Sequence, residues 1–216
     1  MKYPLTVIAA DPGSEKTTCV RVLFTGKQSG LFSVPVELQE AAEMENEEAL
    51  EYMTAIAAKE AQTVFCCEDI MFYGTVHAGK SIFDTCKWIG HYSRRLKDKF
   101  GITLNLMVRP EVAKIVCYNR QAKDADIKAA LIDTVGEVGC KSRQGPLYLL
   151  RGLGTHGFAA LGVAVAYERQ ATALFEESTR LAQRQQPRAK NRESDLSGNS
   201  IEVAPCKIGK AAGELL

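Results

Sequence analysis

Apolar positions along this chain follow two rhythms. Val7-Ile-Ala-Ala10 and Thr63-Val-Phe-Cys-Cys67 are short unbroken apolar runs, the pattern of strands buried on both faces. Cys19–Phe24 alternates and reads as a second strand, Leu31–Val36 as a third, and the three together as an antiparallel meander. Ile102–Val108 reads as a fifth strand, ended by Arg109-Pro110. Helical spacing fills the rest. Asn46–Ala61 places Leu50, Met53, Ile56 and Ala57 on one stripe, and Ser81–Lys99 does so with Ile82, Cys86, Ile89 and Leu96. A short helix over Glu111–Cys117, one from Asp124 to about Val138, and a long one opening at Gly152–Gly157 and running through Glu177 complete the pattern. It predicts an α/β fold: a five-stranded mixed sheet, a three-strand meander plus parallel strands, flanked by helices.

Two of the buried runs end in carboxylates. Val7–Ala10 stops at Asp11, before the forced turn Pro12-Gly13, and the run after Thr63 stops at Glu68-Asp69. In open α/β sheets ligands bind at that carboxyl edge. A carboxylate there costs several kcal/mol unless something positive meets it. Each residue alone has a plain reading: Asp11 caps its own turn, and Glu68 points to solvent. Set side by side on neighbouring parallel strands, the two repel, and a shared divalent cation is the better account. Asp124 reads as a helix N-cap, with Asp126 in the same first turn. His156 stands in the first turn of the last helix, as a structural residue or as a ligand.

Composition narrows the class. The chain has 216 residues, 46% hydrophobic and 25% charged, enough for one sizeable domain. No run approaches the ~18 apolar residues of a membrane span. Met1-Lys2-Tyr3-Pro4 leads straight into the first strand, so the expected location is the cytoplasm. Seven scattered cysteines without a C-x-x-C pair read as buried free thiols. The net charge of +1 hides an asymmetry: Glu37 to Glu60 holds eight acids and one base, leaving the remainder at +8. That permits a polyanionic partner. Lys87, Arg94, Arg95, Arg109, Lys123, Lys141 and Arg143 are candidate contacts to a phosphate backbone. The pattern dissolves from Gln183, so residues 1–180 are expected to fold and residues 181–216 to form a basic flexible tail.

Four stretches carry a resemblance: Ile8-Ala-Ala-Asp-Pro-Gly-Ser14, Cys67-Glu-Asp-Ile-Met-Phe-Tyr-Gly74, Ala122 to Asp133, and Gly154-Thr-His-Gly-Phe-Ala-Ala-Leu-Gly-Val-Ala-Val-Ala166. Their order and spacing, with Phe83–Gly90, resemble the RuvC crossover-junction endodeoxyribonucleases, in particular a divergent branch of phages and mobile elements within the ribonuclease H-like superfamily. The resemblance spans about residues 5 to 170. It implies that Asp11, Glu68 and His156 are catalytic metal ligands. The family's usual last carboxylate falls on Ala159, with Asp124 as the candidate substitute.

What the resemblance implies is a Mg²⁺-dependent nuclease, with two ions and Mn²⁺ as a substitute, that nicks branched DNA. The substrate would be a Holliday junction, with forks or flaps open, cut at symmetric places to leave 5′ phosphates. Symmetric cuts need two sites related by an isologous interface, hence a homodimer. The helix Ser81–Lys99, with Trp88 and Tyr92, is the candidate interface. Two other readings stand beside this one. A branched-DNA binding protein could keep the fold without the metal. A nucleotide phosphotransferase of the actin-like group shares the Asp-Gly hairpin, but needs a second, duplicated domain.

Overall fold

The computed structural model describes residues 3–26, 36–71, 79–136 and 153–185. Five strands form one sheet in the order β3-β2-β1-β4-β5. They are β1 (Leu5–Pro12), β2 (Lys16–Phe24), β3 (Val36–Glu45), β4 (Val64–Asp69) and β5 (Asn105–Val108). The helices are α1 (Asn46–Lys59), α2 (Lys80–Phe100), α3 (Arg109–Cys117), α4 (Asp124–Gly136) and α5 (Thr155–Gln185). Pairings β1/β2 and β2/β3 are antiparallel, while β1/β4 and β4/β5 are parallel. The expected meander plus parallel strands is therefore present. Residues Met1–Ser178 form one compact unit and Thr179–Leu216 another.

Strand alternation divides the core into two layers. Val7, Ala9, Val20, Val22, Cys66 and Met107 face α3, α4 and α5. Ile8, Ala10, Cys19, Phe65 and Cys67 face α1 and α2. Both sides of β1 are covered, which is why its sequence is an unbroken apolar run. Residues 158–166 of α5 are buried on every side. A buried Leu, Val or Phe is worth roughly 1.5–3 kcal/mol. A slip of α5 by one residue would forfeit several of these, so the helix and His156 at its start have one register.

Several boundaries differ from the sequence-based expectation. The third strand is Val36–Glu45, not Leu31–Val36; residues 31–35 lie outside the described ones. The register pairs Val22 with Leu38 but Arg21 with Glu40, so Gln39 is an extra residue. This bulge puts Leu38 and Ala41 on the same core face and breaks the period of two. The fifth strand begins at Asn105 because α2 ends in a Schellman motif: Gly101 has φ +68°, its N–H donates to Lys97 O, and Ile102 N–H donates to Leu96 O. Ile102 closes that cap instead of opening a strand. Pro110 occupies the first turn of α3, where its missing N–H costs nothing. The buried stripe of α2 is Thr85, Ile89, Tyr92 and Leu96; Cys86 is exposed, unlike the buried thiols Cys19, Cys66 and Cys67. Tyr92 is fully buried, which removes it as an interface residue. The last helix runs eight residues beyond Glu177, into the segment expected to be tail. No helix among the described residues is long and apolar enough to cross a membrane.

Candidate active site

Ala10 of β1 pairs with Cys67 of β4 in parallel register. Asp11 and Glu68 are each one residue further on, at the carboxyl edge of adjacent strands. By alternation Asp11 follows Val7 and Ala9, and Glu68 follows Cys66, so both carboxylates lie on the face covered by α3, α4 and α5. In β5, Met107 pairs with Glu68, and Arg109 stands two residues beyond Met107 at the start of α3. His156 comes to the same edge from the first turn of α5, and Asp124 from the first turn of α4.

His156 Nδ1 is 2.8 Å from Asp11 Oδ2. Asp11 does not cap its own turn in this arrangement. The turn is closed by Gly13 N–H donating to Lys16 O at 2.8 Å. A Cβ on residue 13 would stand 2.7 Å from that backbone oxygen, so the close turn needs glycine. Asn46 of α1 holds the turn from outside, its Nδ2 donating to Gly13 O at 3.2 Å. Thr17 Oγ1 donates to Asn46 Oδ1 at 2.6 Å and lies 2.8 Å from Tyr92 Oη. Thr17, Asn46 and Tyr92 are all buried, so this polar cluster ties the β1–β2 turn to α1 and α2.

Arg109 joins the remaining acids. Its Nη2 donates to Asp124 Oδ1, and its Nη1 lies 3.8 Å from Glu68 Oε2. Asp124 is therefore inside α4 and ion-paired, not its cap. The capping is done by Asp126, whose Oδ2 accepts from Lys123 N–H at 2.9 Å, the reach-back half of a capping box.

The electrostatics are those of an under-compensated acid pair. Burial raises the Asp11 carboxyl above its usual range, and the bond and charge of His156 and the charge of Arg109 pull it back. Burial, then the charge of Asp11, pushes Glu68 up to about 7, with Arg109 acting in the opposite direction. Side-chain exposure is 15% for Asp11 and 18% for Glu68. Two hard oxygen donors with too little positive charge between them are chemically suited to a divalent cation. The third and fourth candidate donors are engaged: His156 with Asp11, and Asp124 with Arg109. Among the described residues no three His, Cys, Asp or Glu side chains stand together as a metal-holding group. The carboxylate pair fits a metal; the full donor set is not assembled.

The candidate basic contacts do not converge. Lys87, Arg94 and Arg95 are exposed on α2, which covers the opposite face of the sheet from Asp11 and Glu68. Lys87 pairs with Asp84 at 2.9 Å and Arg94 with Asp98 at 3.2 Å. Arg109 and the exposed Lys123 are at the carboxyl edge, beside α4. Lys141 and Arg143 lie outside the described residues. Ala159, one turn beyond His156, is buried at 7% exposure among the core of α5. Sequence reasoning treated Arg109 as a strand-ending base and a candidate phosphate contact. Its place as the ion partner of both Glu68 and Asp124 shows only when three elements are assembled.

No protein-family model matches the chain, and no curated protein matches it. Solved structures do. A Thermus thermophilus RuvC structure superposes with a TM-score of 0.55 at 12% identity, covering 78% of this chain and 96% of that one. T. thermophilus RuvC in complex with a Holliday junction substrate gives 0.56 at 12% identity, covering 78% and 97%. At that identity the likeness is one of fold: this α/β chain, with its mixed five-stranded sheet flanked by helices, shares the architecture of the RuvC structures.

Proposed function

We propose that this chain is a divalent-metal-dependent endonuclease of ribonuclease H-like fold, in a divergent RuvC-like branch. It nicks branched DNA, resolving four-way junctions as a homodimer by paired cuts that leave 5′ phosphates. The observation that supports this reading is the Asp11–His156 pair with Glu68 on the adjacent parallel strand, at one sheet edge of a fold shared with RuvC. A solved neighbour of that fold is bound to a Holliday junction. Asp11 and Glu68 would hold the metal, with His156 and Asp124 as the nearest further donors. When bound, Mg²⁺ or Mn²⁺ would supply Lewis acidity at a phosphate oxygen and a water of lowered pKa.

The chain's own groups have defined tasks. An ionised Asp11 has no proton to give, so His156 Nδ1–H is the donor of their bond. That tautomer leaves Nε2 with a free lone pair, which takes the proton of the attacking water. The water oxygen bonds to phosphorus as the bond to the 3′ oxygen breaks, and the leaving oxygen is protonated from solvent. On the dimer, the outward side of α2 offers Phe83, 58% exposed.

A second reading, a branched-DNA binding protein without catalysis, is favoured by Ala159, where burial leaves no carboxylate. A cleavage assay on a synthetic four-way junction separates the two. The nuclease reading expects paired nicks with Mg²⁺ or Mn²⁺, and none for Asp11→Asn, which keeps or tightens junction binding. Binding without nicking at any concentration of either metal favours the second reading. Wild-type cutting rates for Asp11→Asn overturn the mechanism.

A further inference from the structure

The Arg109 guanidinium is held by one arm only. Nη2 donates to Asp124, whereas Nη1 is buried and has no hydrogen-bond partner among the described residues. Nη1 lies 3.8 Å from Glu68 Oε2, an ionic contact too long for a hydrogen bond. A planar fork with one arm satisfied and one orphaned is poised for a second oxygen ligand. Arg109 is also a positive charge beside the two carboxylates that the proposed function assigns to a metal. A divalent cation at Glu68 and a guanidinium at the same carboxylate repel at this range, and burial weakens the screening between them.

We infer that Arg109 is the resident cation of the Asp11–Glu68 pair: a divalent ion displaces it from Glu68 and frees its orphaned arm for a phosphate of the bound strand. This rests on the metal-dependent reading above and adds an order to it. Without metal, Arg109 keeps the acids from repelling one another. With metal, the same side chain becomes a DNA contact, so metal and DNA each strengthen the binding of the other. Arg109 stands at the carboxyl edge, two residues beyond the partner of Glu68, which gives it reach to both acids and to a strand lying across that edge.

The test is Mn²⁺ binding to the full chain without DNA, read as free Mn²⁺ by electron paramagnetic resonance at low salt and fixed pH. Removing a competing positive charge in Arg109→Gln should tighten Mn²⁺ binding by about tenfold, while Arg109→Lys, which keeps the charge, should stay within about threefold of wild type. Equal or weaker binding by Arg109→Gln, with wild type binding normally, overturns this inference alone. A wild-type protein that takes up no Mn²⁺ at millimolar concentration sinks both this inference and the metal-dependent function. A second measurement needs no neutral variant. Mg²⁺ titrated into the wild-type protein should move the Arg109 Nε–Hε resonance, identified by its loss in Arg109→Lys, with the midpoint of metal binding. A resonance unmoved at saturating Mg²⁺ overturns the displacement.

Discussion

His156 Nδ1 and Asp11 Oδ2 stand 2.8 Å apart across 145 positions of sequence. One comes from the first turn of a helix whose residues 158–166 are buried on every side, the other from the end of the central strand, so neither element can shift without disturbing the core. If His156 is the base, His156→Ala should lower the single-turnover cleavage rate by roughly 10²–10⁴-fold and leave junction affinity within about threefold. Cleavage within threefold of wild type would reduce His156 to a structural partner of Asp11.

Glu68 makes a prediction in pH. Its native carboxyl is raised from 4.5 to about 7, so between those values the folded protein keeps a proton that the unfolded chain has lost. Stability of the metal-free protein must therefore fall as pH rises through that window. Glu68→Gln removes the effect. In urea with a chelator at pH 8 it should be more stable than wild type by roughly 2–3 kcal/mol, and the difference should vanish below pH 4.5. A difference that does not change with pH would mean that Glu68 does not titrate with folding. Saturating Mg²⁺ should recover the loss in wild type and do little for the variant.

Tyr92, Asn46 and Thr17 should behave as a unit. Tyr92→Phe leaves Thr17 and Asn46 short of a partner and should cost about 1–2 kcal/mol, while Asn46→Ala, which also abandons Gly13 O, should cost about 2–4 kcal/mol. The double variant should lose less than the sum. Strict additivity in denaturant titrations would show that the three hydroxyl and amide groups do not cooperate.

Gly13→Ala tests the turn behind Asp11. The added Cβ would meet Lys16 O at 2.7 Å, a backbone atom that cannot swing aside. A loss of about 1–3 kcal/mol is expected, together with reduced cleavage, because Asp11 is two residues away. Wild-type stability and rate would show that the hairpin has room to open.

The strand-end positions of Asp11 and Glu68 were legible because each closes an unbroken apolar run, and chain order alone puts such residues at the carboxyl edge. The third strand was not legible. The bulge at Gln39 removes the alternation, and in a strand with four glutamates only Leu38 is fully buried. Tyr92 could be read as apolar but not as a hydrogen-bonding hub, since its partners come from β2 and α1. Asp124 looked like a cap because acids at helix starts usually are; the nearby Asp126 took that task and left Asp124 for Arg109. Cys86 fell on the wrong side of α2 because the stripe was phased on Ile82, whereas Thr85 and Tyr92 supply the buried phase.

Glu37, Glu40, Glu43 and Glu45 are exposed along β3, the border strand farthest from β5. Unpaired strand borders invite a neighbouring molecule to add on, and this row of like charges repels such an addition. It also makes the molecule lopsided towards any polyanion. At physiological salt the repulsion reaches only about 8 Å, so it does not slow arrival from afar but decides the last step of docking. Under the proposed function, a duplex settling across the strand ends would be turned away from the glutamate flank and toward the Arg109 flank, which would give the landing a direction before any base or branch is felt.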